Sequence, residues 1–556
     1  MVSDISTVGV IGLGTMGAGI VEVFAKAGKR VYAVDNTPEL AERGKGFVTK
    51  SLDRAVAKGK LEQSARDETL GRITFTSDLQ DLADADLVIE AVPERMEIKN
   101  AIFGTLDGIV RPDAILASNT SSLSLTAIAA ATEHPERVVG MHFFNPAPVL
   151  ALVEVIRTVL VDPAVVDQVR ELAIQLGKKP VVVGDRAGFV ANALLIPYLA
   201  RAIRLYETGK VSREDLDNAA RVGIGLPMGP LTLSDLVGLD VVKEVCDVMY
   251  DATKRPSDAP PALLQQLVLA GRLGRKTGQG FYDYGEQAAE EQAPQASPFT
   301  KAAVVGTGEV ATAFADALRK AGAEVTVVDD PEADVEGLKG MPLVLLTGGD
   351  EADCDECNAG ACLVADDDAD ASDCACCGGA APGNWFPEVA EVLDASTVVL
   401  AVDEASELAL EGGLEEGVTV LPVRLHQETK GGQVAEIGVP LDATADQVTQ
   451  VRATFEAAGL VPVVGPARPG LVVDALLFQH LNDAVAMVDA GYATPQDVDT
   501  AMTAGCGYPT GLFAILDQLG AVPVAEGLAE QSAIEPVAAP DPLLLEHAAA
   551  GRPFLA

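Results

Sequence analysis

The 556-residue chain has no uninterrupted apolar run approaching the ~18 residues that a membrane-spanning helix needs, which predicts that it is not an integral membrane protein. Its first residues, Met1-Val2-Ser3-Asp4-Ile5, carry an acid where a secretory signal would carry Lys or Arg, so a cytoplasmic location is expected. Positive charge is scarce. With 40 Lys and Arg against 82 Asp and Glu the net charge is −42, which would repel a phosphate backbone and disfavours nucleic-acid binding. The deficit is uneven, because residues 286–556 hold 46 acidic and 9 basic side chains against 36 and 31 in residues 1–285. Only the first half has the cations to hold a phosphorylated ligand. Histidine is scarce too, with five in the chain.

At roughly 100–200 residues per domain, this length implies several domains. From the start, β-branched apolar runs alternate with helical patterns, the signature of an α/β fold with a parallel sheet. Val8–Ile11, Val31–Asp35, Asp86–Val92 and Ala114–Ser118 read as strands and Met16–Ala27 as a helix. After about Arg186 the pattern is helical: Val190–Glu207, Ser212–Val222 behind a Ser212 cap, and Leu231–Thr253. Residues 285–300 are polar, contain proline and lack periodicity, and read as a linker.

Beyond the linker the chain begins again. Lys301–Gly308 (KAAVVGTG) echoes Thr7–Gly14 (TVGVIGLG), and from Ala114 to about Asp235 the two copies align without a gap at an offset of 282, Arg186, Gly188, Asp217 and Gly229 recurring as Arg468, Gly470, Asp499 and Gly511. The second copy lacks about 38 residues corresponding to the segment around 40–85. It gains about 26 in a cysteine-rich stretch. The expected domains are 1–185, 186–284, the linker 285–300, 301–466 with the insert 354–377, and 467–556.

Gly12-Leu13-Gly14-Thr15-Met16-Gly17 follows a strand and opens a helix. In that context the first glycine permits a tight turn, the second lets backbone approach a pyrophosphate, and the third allows close packing of helix on strand. Asp35 ends the next strand, where a carboxylate can bind ribose hydroxyls. No arginine follows it, so NAD is expected over NADP. Further on, Ser121 lies in a polar loop after a strand, His142 and Asn145 follow an apolar run, and Glu154 comes twelve residues after the histidine. An imidazole of ordinary pKa can take a proton from a secondary alcohol as hydride leaves, and a carboxylate on its other nitrogen fixes the tautomer.

These residues resemble the short-chain L-3-hydroxyacyl-CoA dehydrogenases. The likeness is carried by GVIGLGTMGAGI (9–20), LVIEAVPE with Lys99 (87–99), ILASNTSSL (115–123), HFFNPAPVLALVEVI (142–156), GFVANALLIPYLARAIRLYE (188–207), GLPMGPLTLSDLVGLD (225–240) and GRKTGQGFYDY (274–284), covering residues 7–284 almost continuously. The resemblance implies a Rossmann-type parallel sheet followed by an all-helical domain, the pair duplicated in tandem. It implies NAD-dependent, reversible oxidation of (S)-3-hydroxyacyl-CoA to 3-oxoacyl-CoA in fatty-acid or butyrate metabolism. His142 would be the base and Glu154 its partner, with Asn192 and Ser121 holding the substrate's carbonyl and hydroxyl. Glu94, Lys99, Ser121 and Asn145 would be further cofactor contacts, and Ser51, Lys58 and Ser121 would hold coenzyme A. Dimers pairing through their helical domains are a feature of the family, which leads us to expect residues 467–556 to pack against 186–284 as an intrachain pair, with a homo-oligomer as the alternative.

The second copy departs at the functional positions: His142 becomes Arg424, Asn145 Gln427, Ser121 Asp403 and Asn192 Asp474, while Glu154 survives as Glu436. It reads as a catalytically silent duplicate without a general base. Its insert holds Cys354, Cys357, Cys362, Cys374, Cys376 and Cys377. The leading Cys-x-x-Cys has the spacing of zinc ligands, so a bound zinc is expected there, an acidic disordered or redox-active loop and an iron–sulfur cluster being the alternatives. Two other functional readings remain open at this level: a hydroxyacid dehydrogenase that does not use coenzyme A, disfavoured by the lysines around Ser51, and a non-catalytic NAD or acyl-CoA sensor, disfavoured by an intact His142–Glu154 pair.

Overall fold

The computed structural model describes residues 5–285, 296–329, 334–347, 389, 392–394, 396–402, 418–534 and 538–555. The six clustered cysteines, Asp403 and residues 286–295 of the expected linker lie outside them.

Two sheets are present. The first contains β1 (Thr7–Ile11), β2 (Arg30–Val34), β3 (Ile73–Thr76), β4 (Leu87–Glu90), β5 (Ile115–Ser118), β6 (Val138–Phe143), β7 (Leu152–Arg157) and β8 (Lys179–Gly184), in the order β3-β2-β1-β4-β5-β6-β7-β8. The second contains β9 (Lys301–Val305), β10 (Glu324–Val328), β11 (Leu343–Leu346), β12 (Val398–Val402), β13 (Thr419–Leu425), β14 (Val434–Val439) and β15 (Val461–Pro466), in the order β10-β9-β11-β12-β13-β14-β15. The orders coincide strand for strand except that β3 has no counterpart among the described residues. It sits at the edge of its sheet after the helices Pro38–Ala57 and Gln63–Gly71, within the stretch missing from the second copy. Deleting an edge strand leaves the remaining ladder intact.

The strands pair in parallel with one exception in each sheet. β6 with β7, and β13 with β14, run antiparallel, a reversal the sequence pattern does not announce. Buried apolar residues of β1, β2 and β4 form the centre of the first core, with Ile20, Val21 and Phe24 of the helix Thr15–Lys26 packed on them. The helix expected over Leu231–Thr253 is two helices, Pro230–Val237 and Leu239–Thr253, because Gly238 between them has φ 106°, a left-handed value that breaks the hydrogen-bonded ladder. The helix after Ser212 runs Arg213–Asn218 and then widens into a π-turn over Ala219–Gly223.

The chain forms two compact units that interleave the copies: Met1–Arg201, Val237–Leu273 and Phe478–Ala556 in one, Ala202–Leu236 and Gly274–Leu477 in the other. In the first unit the helix Pro495–Gly505, from the second copy, lies against β7 and β8. A Cβ at Gly505 would stand 2.4 Å from the Leu152 side chain, so glycine sets this approach. The Tyr492 hydroxyl donates to the Gly184 carbonyl at 2.7 Å, and Arg201 pairs with Asp483 at 3.0 Å. In the second unit the helix Arg213–Asn218, from the first copy, lies against β15, and Arg452 pairs with Asp215 at 3.0 Å. Among the described residues no single helix is long and apolar enough to cross a membrane, although the bent pair Leu512–Leu519 and Ala521–Ile534 meets that test jointly.

Candidate active site

The glycine loop has the form that its sequence requires. Gly12 adopts φ 87° and a Cβ there would lie 2.7 Å from the Ala91 carbonyl oxygen, while a Cβ at Gly17 would lie 1.7 Å from the Gly12 oxygen. Gly14 caps the helix Thr15–Lys26 and has nothing within 4 Å of where a Cβ would be, which leaves the helix N-terminus open to a phosphate. Leu13 is buried in the core, and Thr15 and Met16 form the first helical turn. The Asp35 carboxylate accepts from the Leu13 and Asn36 amides, both at 2.8 Å, which ties the loop to the end of β2. These features suit a dinucleotide.

The antiparallel pairing of β6 and β7 places His142 directly opposite Glu154. His142 Nδ1 lies 2.7 Å from Glu154 Oε2, with both side chains buried. Glu154 Oε1 accepts from the amides of Val190 and Ala191, at 3.0 and 2.9 Å, where the helix Ala191–Glu207 begins. The carboxylate is fully enclosed, yet it is compensated by amide donors and by the positive end of that helix. Since Glu154 can only accept, Nδ1 carries the proton and Nε2 is left as the basic nitrogen. Phe144 and Phe189 flank the imidazole at ring-centroid distances of 4.5 and 5.6 Å. Phe189 is held at φ 49°, an unfavourable left-handed conformation for a bulky side chain, and the equivalent Leu471 repeats it at 45°. Asn192 is the second residue of the helix Ala191–Glu207 and is half-buried.

The loop after β5 is organised by two acids. Glu94 accepts from Thr120 Oγ1, from the Ser121 and Ser122 amides, and from Ser122 Oγ. Burial pushes its pKa up, but the charge of Lys99 and these hydrogen bonds outweigh it and hold the carboxyl below its ordinary value. Lys99 does not face the cleft: it is 1% exposed and pairs with Glu90 at 2.7 Å and Glu94 at 3.2 Å, so it can act on a cofactor only through Glu94. Glu90 also accepts from Ser118 Oγ at 2.7 Å, and Asn119 Oδ1 accepts from the Phe143 amide at 2.8 Å, joining this loop to the histidine strand. Sequence reasoning passed over both residues. The one available signal for Glu90 was an acid in an otherwise apolar central strand.

Ser51 and Asn145 come together at a cavity of about 260 Å³ that also includes Thr15, Lys50 and Arg54. Lys58 is outside that lining, exposed at the C-terminal cap of the helix Pro38–Ala57 and two turns from Ser51 on the same face. Among the described residues no group of three or more His, Cys, Asp and Glu side chains is placed to hold a metal.

The second copy keeps more of this geometry than its sequence implies. Arg424 stands opposite Glu436 in the register of His142 with Glu154, and Glu436 accepts from the Val472 and Val473 amides, both at 2.9 Å. Two residues beyond Arg424, His426 reaches Glu436 with Nε2 at 2.6 Å. The position aligned with His142 holds Arg424, and it is His426, just past the end of β13, that makes the pair with this glutamate. Arg424 itself is paired with Asp474, the counterpart of Asn192.

Residues 7–186 match the model of the 3-hydroxyacyl-CoA dehydrogenase NAD-binding domain. Residues 188–284 and 470–553 each match the C-terminal domain of the same family. The chain is 51% identical over 286 residues to 3-hydroxybutyryl-CoA dehydrogenase of Mycobacterium tuberculosis, covering 51% of this chain and 100% of that one. It is 33% identical over 522 residues to 3-hydroxyadipyl-CoA dehydrogenase of Escherichia coli, covering 94% and 92%. A crystal structure of 3-hydroxybutyryl-CoA dehydrogenase from Escherichia coli K12 superposes with a TM-score of 0.72 at 30% identity, covering 99% of both chains.

Proposed function

The chain belongs to the 3-hydroxyacyl-CoA dehydrogenase family of NAD-dependent oxidoreductases, and from that premise we propose that His142 is its general base, Glu154 the group that orients and stabilises it, and Asn192 and Ser121 the groups that hold the substrate. NAD supplies the hydride acceptor. Nε2 of His142 takes the hydroxyl proton as the 3-carbon is oxidised, and the Glu154 carboxylate offsets the positive charge that then develops on the ring. Glu94 orders the loop carrying Ser121, and Lys99 in turn fixes Glu94. Lys50, Ser51 and Arg54, with Lys58 further along the helix, would meet the phosphates of coenzyme A, a role supported by the cavity that the first three line. The observation that carries this reading is the enclosed His142–Glu154 pair capped by the Val190 and Ala191 amides. NADH formation from (S)-3-hydroxybutyryl-CoA tests it, and a protein that turns over no 3-hydroxyacyl-CoA would overturn it.

The same reading divides the chain into a catalytic copy, 1–185 with 186–284, and a silent copy, 301–466 with 467–556, which pair within one chain in the cytoplasm. It also sets the cofactor preference. A 2′-phosphate would meet the Asp35 carboxylate without a counter-charge, so NAD should give the higher kcat/KM, and Asp35→Ser with Asn36→Arg should narrow or reverse that preference. Because Asp35 also holds the Leu13 amide, the double variant should lose some activity with both cofactors. A native enzyme that prefers NADP would contradict the assignment.

A further inference from the structure

A second cavity, of about 630 Å³, lies within the first compact unit and its lining adjoins the proposed catalytic residues: Ser122 follows Ser121, Ala193 follows Asn192, and Phe189 is the ring beside His142. It shares no residue with the cavity at Ser51 and Asn145. Part of its lining comes from the second copy, where Asp483, Ala486 and Met487 of the helix Val473–Asp489, together with Ala490 and Tyr492, face Val248, Met249 and Ala252 of the helix Leu239–Thr253.

The charged groups at this cavity are engaged elsewhere. Asp185 accepts from Ser124 Oγ and the Thr126 amide at 2.9 and 2.7 Å, Asp483 pairs with Arg201, and Arg255 pairs with Asp258 at 3.0 Å. Arg186 lies over the Tyr492 ring at 4.5 Å. Most of what remains is apolar, alanine above all with leucine, valine, methionine and phenylalanine, and the Ser122, Ser124 and Thr253 hydroxyls are hydrogen-bonded to Glu94, Asp185 and Asp258. Alanines at 187, 193, 252, 486 and 490 leave room that larger side chains would fill. A half-apolar cavity beside the reacting centre, with its polar groups already satisfied, suits an alkyl chain.

We infer that this cavity receives the acyl chain of the substrate, and that the second copy is kept because it supplies the wall that sets acyl length. The inference rests on the catalytic reading above. With coenzyme A at Ser51 and the 3-hydroxyl at His142, the distal carbons run past Asn192 and Phe189 towards Ala486 and Met487. A silent copy then has a task without performing chemistry, which explains why the active-site substitutions Arg424 and Asp474 are tolerated while the helix Val473–Asp489 retains its place.

The test is a profile of kcat/KM for (S)-3-hydroxyacyl-CoA substrates of four, six, eight and ten carbons, on the full chain and two variants. The unaltered chain should gain about fourfold per methylene while the cavity fills, the scale expected for burying CH₂ groups. Ala486→Phe should lower the ratio of the eight-carbon to the four-carbon value at least tenfold. Met487→Ala should move the optimum to longer chains. Because the two changes act in opposite directions, general damage to the fold cannot imitate both. If neither variant alters the ratio, the second copy does not wall the acyl site and the inference is wrong. If no acyl-CoA is oxidised by the unaltered chain, it is the underlying catalytic reading that has failed.

Discussion

His142→Gln should lower kcat by roughly 10²–10⁴-fold, the range over which a positioned general base contributes, while the affinity for NADH stays within about twofold. The glutamine is close in size, so the cross-strand position opposite Glu154 is kept and the helix cap at Val190 and Ala191 is undisturbed. What disappears is the basic nitrogen. Glu154→Gln should act in the same direction less severely, for a second reason. The amide that replaces one carboxylate oxygen must present its NH₂ either to the imidazole N–H or to two backbone N–H groups, and each of those positions calls for an acceptor. That variant should therefore lose stability as well as rate, seen as a lower Tm in a thermal melt. A His142→Gln protein with wild-type turnover would remove the histidine from the mechanism altogether.

Much of this site is legible in the sequence because its chemistry depends on local features. The glycine loop is a contiguous turn with a strand before it and a helix after it, and the backbone gives a steric reason for Gly12 and for Gly17. The pairing of His142 with Glu154 is less local. A spacing of twelve residues is compatible with many geometries, and it becomes a hydrogen bond only because β6 and β7 run antiparallel, which neither strand's own composition dictates. Lys99 illustrates the opposite failure. A lysine on an amphipathic helix reads as solvated or ligand-facing, and only the buried Glu90, which strand burial disguised as part of an apolar run, explains why it turns inward. His426 was missed because a gapless alignment compares positions one by one, whereas a side chain two residues further along the chain, just past the end of β13, can reach the same carboxylate. The interleaving of the copies depends on contacts between residues more than 230 positions apart, and no periodicity records those.

A chain ending at Gly285 should be markedly less stable than the full protein, with a Tm lower by many degrees and activity that falls on dilution. The reason lies in the surface that the second copy covers. Without residues 478–556 the helix Pro495–Gly505 no longer shields β7 and β8, and Leu152, fully buried and two residues from Glu154 on the same face of the strand, faces solvent. Cys506, whose thiol is pushed up to about 12 first by burial and then by the Glu154 charge, marks how near that covering comes to the Glu154 carboxylate. Arg201 loses its 3.0 Å partner Asp483 together with the helix that carries it. The shortened chain has one way to recover. Its own helix Arg213–Asn218 lies at the repeat position of Pro495–Gly505 and, in the full protein, packs against β15 in the way the latter packs against β8. Two shortened chains could therefore cover each other, and activity would then depend on concentration, whereas the full chain would keep its specific activity at every dilution because its covering helix is tethered. Sedimentation of both proteins alongside activity measured over a hundredfold dilution decides the matter. A shortened chain with unchanged Tm and concentration-independent activity would show that the second copy is an appendage and not part of the catalytic unit.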